Sequence, residues 1–373
     1  MLAKNKIIAL LNKSNILING DRDWDIQVHN TKFYQKVLTQ GSIGMGESYM
    51  EGWWDAKALD QTITHILYNK QNSQLRLNLP EIWLFFRAYL LNLQSKNKAE
   101  NSVERHYDLG NDLYLGFLDP YNQYSCAYFK NTTDLDIAQE LKLDLICRKL
   151  QLKKGDTVLD IGCGWGGFAK FAVERYKCEV TGITLSSNQF EYAQSFCKDL
   201  PITILKQDYR DLKGSFDKVV SIGMIEHVGY KNYNSLFLKA HEILKPEGIF
   251  VLQTIGGNTA KKQIDPWINR YIFPNAVIPS ISQLSEAYEK LFILEDLQHM
   301  GTHYDQTLMA WFRNFHTNWT NIRVINGKYD DTFYRMWKYY LLSCAGAFRS
   351  RSLQLWQFIF TKNGFLNNFE PPR

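Results

Sequence analysis

The run Val158-Leu159-Asp160-Ile161-Gly162-Cys163-Gly164-Trp165-Gly166-Gly167 joins an apolar segment, a carboxylate and closely spaced glycines. It reads as a strand ending in an acidic residue, a tight turn, and the opening of a helix. Glycine permits such a turn and lets the backbone approach a ligand that a Cβ would exclude. The residues alone also fit a dinucleotide fingerprint or a plain strand-turn-helix. Two details weigh against a dinucleotide. The glycine spacing is not GxGxxG, and Asp160 sits where it would repel a pyrophosphate. S-adenosylmethionine (SAM) carries a sulfonium and an ammonium but no phosphate, so a carboxylate suits it. Asp160, Gly162, Gly164 and Gly166, with Trp165 between them, are the primary cofactor candidates.

Further polar residues fall at successive strand ends, where an open α/β sheet gathers its ligand. Thr184 ends the next predicted strand, and Ser186 and Gln189 open the helix after it. Asp208 and Tyr209 follow the third strand. Each of these also suits a cap or a turn. Glu226-His227 follows the strand ending at Ile222 and fits a cofactor contact, acid/base machinery or a structural cap. Tyr124-Ser125-Cys126 lies upstream of the first strand and can fold over its crevice, although a lone Cys also suits a core. Tyr304, between His303 and Asp305, fits a site element or a surface turn.

The elements that must position these groups are legible as strand-helix alternation from about residue 139. Strands are predicted at Thr157–Ile161, Glu179–Thr184, Ile202–Lys206, Phe216–Ile222 and Gly248–Thr254, the last after a turn at Lys245-Pro246-Glu247-Gly248. Strands separated by helices imply a mostly parallel sheet with both faces covered. Phe292–Asp296 and Gln354–Thr361 are expected to close it as an antiparallel pair. Upstream, Ile8–Leu11, Thr31–Leu38 and Leu59–Leu67 read as helical stripes, and Gly41–Gly46 as a flexible break. Trp83–Leu91 reads as an apolar helix, buried or in contact with lipid. The polar stretch Ser95–Ser102 reads as a linker or lid. The expected division is a helical N-terminal lipid- and membrane-contact domain at 1–94, a linker and cofactor-site lid at 95–122, and a catalytic α/β domain at 123–373 with acyl-pocket inserts.

Composition narrows the function classes. The chain has 373 residues, enough for one large or two moderate domains. None of the six cysteines makes a CxxC or Cys/His cluster, so no metal site is expected and reduced thiols fit a cytoplasmic protein. No signal segment and no apolar run of membrane-spanning length is read. The net charge of +5 suits anionic headgroups or simple solubility, and no nucleic-acid recognition motif accompanies it. Aromatic residues reach 14%, most of them expected in the core and a minority lining an acyl channel or meeting a bilayer interface. Trp53, Trp54 and Trp83 are candidates for that role or for packing.

A wider set of landmarks resembles the cyclopropane-fatty-acyl-phospholipid synthases, the SAM-dependent cyclopropane and mycolic acid synthase family, over nearly the full length. They are Glu104 to Asp112, Tyr124-Ser125-Cys126, Leu159 to Gly167, Gly182 to Ser186, Glu226 to Gly229, Thr254-Ile255-Gly256, Pro266-Trp267-Ile268, Tyr271 to Pro274, Leu308 to Trp311 and Cys344 to Arg349. The glycine loop alone marks SAM methyltransferases; the combination marks this family. The resemblance implies a Rossmann-like class I methyltransferase fold with a smaller helical N-terminal domain. It implies an unsaturated phospholipid of the inner membrane as substrate, reversible membrane association and a homodimer. It also implies a bicarbonate ion held by Cys126, Glu226, Gln253, Tyr304 and the backbone at Ile255. At 253 the chain departs from the family, whose members often carry His there. A glutamine amide still donates a hydrogen bond but cannot act as a base. The rival outcomes are a fatty-acyl methyltransferase making a methyl or methylene branch, a non-catalytic lipid-binding protein, and a nucleic-acid methyltransferase.

Overall fold

The computed structural model describes residues 2–72, 110–327, 329–366 and 369–373. The chain opens with α1 (Leu2–Lys13), α2 (Lys32–Gln40), α3 (Ser42–Met50) and α4 (Leu59–Asn72), among which β1 (Gln27–Val28) and β2 (Trp54–Asp55) pair antiparallel. Helices α5 (Asn111–Leu115) and α6 (Leu135–Lys149) then lead into the alternating region. It runs β3 (Thr157–Ile161), α7 (Gly167–Tyr176), β4 (Glu179–Thr184), α8 (Ser187–Phe196), β5 (Ile202–Lys206) and β6 (Phe216–Ile222). It continues with α9 (Ile225–Val228), α10 (Tyr233–Ile243) and β7 (Leu244–Gly257). The chain ends with α11 (Pro266–Tyr271), α12 (Ile281–Tyr288), β8 (Ile293–His299), α13 (Gly301–Asn326), α14 (Asp331–Arg349) and β9 (Leu353–Thr361).

The seven-stranded sheet has the order β5-β4-β3-β6-β7-β9-β8, with β5 through β7 parallel and β9 antiparallel to both its neighbours. Side chains alternate across a strand, so each strand feeds two cores. Val158, Val220 and Val251 pack against Leu143, Ile146, Phe168 and Ala172 of α6 and α7. Leu159, Val219, Phe250 and Leu252 pack on the other face with Leu236, Phe237 and Ala240 of α10 and Leu284 of α12. The five parallel strands start and stop within a residue or two of expectation except β7. That strand begins at Leu244, and the expected turn at Lys245–Gly248 is an irregularity in its register with β6.

A third core joins the N-terminal helices to α13 and α14. It contains Tyr49, Trp54, Leu59, Trp311, Trp337 and Phe348. Trp54 is wholly buried there, which assigns it to packing rather than to a membrane, whereas Trp53 stays half-buried beneath Lys36. Trp83, the 83–91 helix, the 95–102 linker and the landmarks at 104–109 lie outside the described residues. Gly41–Gly46 is not a flexible break, because Ser42 onward forms α3. Gly44 and Gly46 serve close packing, a Cβ on Gly46 lying 2.4 Å from the indole of Trp267, whereas Gly41, at φ +57° with open space around it, separates α2 from α3.

Candidate active site

The crevice opens at the carboxyl ends of β3, β4 and β6, where the parallel sheet gathers its loops. Tyr124, Ser125, Asp160, Gly162, Gly164, Trp165, Thr184, Gln189, Asp208 and Tyr209 all line it, as expected from sequence. The glycine turn has a physical reason for each residue type. Gly164 has φ +56°, which glycine adopts without strain, and no atom lies within 4 Å of a built Cβ, so the turn borders open space. Gly166, at φ +85°, faces Cys197 instead and does not line the pocket. Its role is close packing of α8 against the turn. Ser186 is likewise not a wall residue: its hydroxyl caps α8 by accepting from the Gln189 N–H at 3.3 Å. Gln189 in turn accepts from the Thr184 hydroxyl at 2.8 Å.

Charges in this crevice are strongly conditioned by burial. Asp160 is pushed up to about 7 by desolvation, with Lys142 pulling the other way. Asp208 is held by a bidentate Arg210 guanidinium at 2.7 and 2.8 Å. His227, also in the wall, is driven down to about 4 by burial, so near neutrality its imidazole is uncharged. That removes an imidazolium acid from the choices left open for the Glu226-His227 pair.

Helix α6 supplies what sequence reasoning missed. Lys142 is completely buried and donates to Gln123 Oε1 at 2.5 Å and Ser125 Oγ at 3.0 Å. Gln139, one turn earlier, donates to the Ser125 carbonyl at 3.0 Å. Together they hold the 122–126 segment against the crevice. The only sequence signal was the i, i+3 spacing of two polar residues on an otherwise apolar face, which is too common to single out.

The other expected residues assemble beside this crevice rather than in its wall. Cys126, Leu145, Met300 and Leu355 form a small core against which the side chains of Ile255 and Tyr304 pack. Cys126 is wholly buried, and burial raises its thiol far above the usual range. Its Sγ donates to the Ala127 carbonyl, so it is a neutral thiol and not a nucleophile. Tyr304 is no surface turn: it stands in the first turn of α13, stacked on Phe348 at 4.5 Å and edge-on to Trp311 at 6.1 Å. Glu226 is the second residue of the short helix α9 and accepts from the Ile255 N–H at 2.7 Å. Its second oxygen, Oε2, has no hydrogen-bond partner although the residue is 6% exposed, and burial pushes the carboxyl up to about 7. Gln253 lies on the same face of β7 as Ile255 and accepts from Gln357 Nε2 at 2.7 Å. Among the described residues no cluster of His, Cys, Asp and Glu could hold a metal.

The family model described as Mycolic acid cyclopropane synthetase matches residues 94–358. The chain belongs to that family. It is 48% identical to the cyclopropane-fatty-acyl-phospholipid synthase of Escherichia coli (strain K12), over 95% of this chain and 92% of that protein. It is 32% identical to sphingolipid C9-methyltransferase A of Emericella nidulans, over 85% of this chain and 64% of that protein. The solved structure of the cyclopropane synthase MmaA2 from Mycobacterium tuberculosis superposes with a TM-score of 0.66 at 33% identity, covering 73% of this chain and all (100%) of that one. The sheet and crevice are accordingly the Rossmann-like, SAM-binding class I methyltransferase fold of this family, extended by N-terminal helices.

Proposed function

We propose that the protein transfers the methyl carbon of SAM to a cis double bond in an unsaturated phospholipid acyl chain and closes a cyclopropane ring. One proton is released, and S-adenosylhomocysteine leaves. The observation that carries this reading is the buried Glu226 carboxylate with one unpartnered oxygen, set beside a SAM crevice and an aromatic wall. A buried acceptor without a donor is costly unless a ligand satisfies it. Bicarbonate would fit here: Glu226 Oε2 would accept from its O–H, and neighbouring donors would hold its oxygens. Bound SAM supplies an electrophilic methyl carbon, and bicarbonate supplies a small base.

The protein's own residues do the rest. Asp160 offers negative charge to the cofactor's ammonium and sulfonium. Lys142 and Gln139 hold Tyr124 and Ser125 over it. Glu226 orients the anion and adds negative potential where cationic character develops. The stacked ring of Tyr304 and the faces of Tyr124 and Trp311, 5.1 Å apart, stabilise that cation. The burial of Cys126, Glu226 and Gln253 keeps water away from it.

We assign the N-terminal helices α1–α4 to membrane contact and residues 123–373 to catalysis; the linker and lid expected at 95–122 lies outside the described residues up to 109, and from Asn111 the chain forms α5 with Leu113 and Tyr114 buried. No described helix is long and apolar enough to cross a membrane. Exposed Leu2, Leu10 and Leu17 on the N-terminal helical unit support reversible contact with the inner membrane from the cytoplasm. A homodimer completes the reading. Incubation with SAM and monounsaturated phospholipid vesicles is expected to add one CH₂ to the acyl mass with loss of the alkene. A product retaining its alkene favours the second reading, a methyl- or methylene-branched chain, which the similarity to a sphingolipid C9-methyltransferase supports.

A further inference from the structure

A ladder of glutamines crosses three strands behind the Glu226 site. Gln253 on β7 faces Gln357 on β9, and Gln357 faces Gln298 on β8. Beneath them lies Lys149 of α6, whose side chain is 0% exposed. Its Nζ donates to Gln357 Oε1 at 2.8 Å and to Gln298 Oε1 at 2.6 Å. Gln357 Nε2 then donates to Gln253 Oε1 at 2.7 Å.

The direction of this chain is dictated by chemistry. An ammonium only donates, so the oxygen of Gln357 must face Lys149 and its NH₂ must face the other way. Gln253 consequently turns its oxygen toward Gln357 and keeps its NH₂ for whatever lies beyond. Without the lysine, either amide could flip at little cost, and position 253 would offer an acceptor as readily as a donor.

We propose that Lys149 is a positioning residue which, acting through Gln357, makes position 253 an obligate hydrogen-bond donor to a small oxyanion. The anion's identity as bicarbonate rests on the proposed function above; the polarity of the relay does not. Gln253 stands on β7 two residues from Ile255, whose N–H binds Glu226, so donation from Gln253 and acceptance by Glu226 Oε2 together suit an oxyanion that also carries an O–H. Burial lowers Lys149 to about 7, opposed by Asp296 at 4.0 Å and reinforced by Arg148 and Arg373. The ammonium form enforces the polarity; the neutral amine keeps two N–H groups for the two glutamine oxygens but adds a lone pair that could accept, so the relay weakens as pH rises through about 7. A histidine at 253 would accept from Gln357 on one ring nitrogen and keep its proton on the other, the same outward polarity.

The test uses the protein alone for binding and with monounsaturated phospholipid vesicles for turnover. Infrared difference spectra with ¹³C-bicarbonate report binding directly, and activity in CO₂-depleted buffer reports the bicarbonate concentration for half-saturation. Lys149→Met is expected to weaken bicarbonate about tenfold or more, with SAM affinity unchanged. Gln357→Met, which cuts the relay one bond later, reads the same way if K149M does not fold. Unchanged bicarbonate affinity in a folded variant overturns the proposal. If the unsubstituted protein binds no bicarbonate, the anion reading fails and the relay is judged alone, from the ¹⁵N-labelled ring in Gln253→His. A single neutral tautomer that becomes a mixture when K149M is added supports the relay, and a mixture in both refutes it.

Discussion

Replacing Glu226 with Gln should make the protein more stable and nearly inactive at once. The carboxyl is pushed up to about 7 in the folded chain against an ordinary 4.5, because burial outweighs the lowering by the Ile255 and Glu226 backbone and the Thr254 hydroxyl. A rise of that size carries a linkage free energy of about 3 kcal/mol. The folded form binds the proton more tightly, so this stability is fully present below about pH 4.5 and is lost as pH rises through about 7. Glutamine cannot ionise, yet its carbonyl still accepts from the Ile255 N–H. E226Q should therefore match the parent near pH 4.5 and exceed it by about 3 kcal/mol at pH 8.5. For a chain of this length that corresponds to roughly 4 °C in melting temperature. Urea titrations at the two pH values measure it. Turnover on vesicles should fall by about 100-fold or more, with vesicle binding intact and no full recovery on adding bicarbonate. Equal stability at pH 8.5 would refute the buried, unpaired carboxylate. Near-normal turnover would refute its place in the chemistry.

Other outcomes follow from the same geometry. SAM affinity, measured by equilibrium dialysis, should rise about tenfold per pH unit below about 7 and then level, since the cofactor's cations need ionised Asp160; Asp160→Asn should flatten the profile. Lys142→Met removes both side-chain bonds to Gln123 and Ser125, so SAM should bind about tenfold more weakly by calorimetry while the far-ultraviolet spectrum stays unchanged. Asp60→Asn cuts the bond from α4 to Arg349, whose guanidinium also grips Asp305 at 2.8 and 2.9 Å beside Tyr304. Turnover should drop severalfold, SAM affinity should not change, and stability should fall by about 1 kcal/mol. Flotation with anionic vesicles should be stronger at low salt and weakened by replacing Leu2 and Leu10 with Ser, and absence of binding at both salts would sink membrane contact.

The sequence by itself determined the alternating sheet, because β-rich apolar runs bounded by turns need no distant partner to be read. Five strand segments and the antiparallel closing pair follow from that pattern, as does the capping role that Ser186 turned out to have. It also determined the chemistry of the glycine turn, since positive φ and a terminal carboxylate are local properties. Tertiary structure alone decided which polar residues are costly. The solitary oxygen of Glu226 depends on the backbone of Ile255, 29 positions away, and on the burial around both. The roles of Lys142 and Lys149 depend on α6 lying across the sheet, where desolvation turns two ordinary lysines into buried donors. Gly41–Gly46 misled the sequence reading for the same reason. Glycine signals freedom in isolation, and only the distant indole of Trp267 reveals that at Gly46 the lack of a side chain is used for contact.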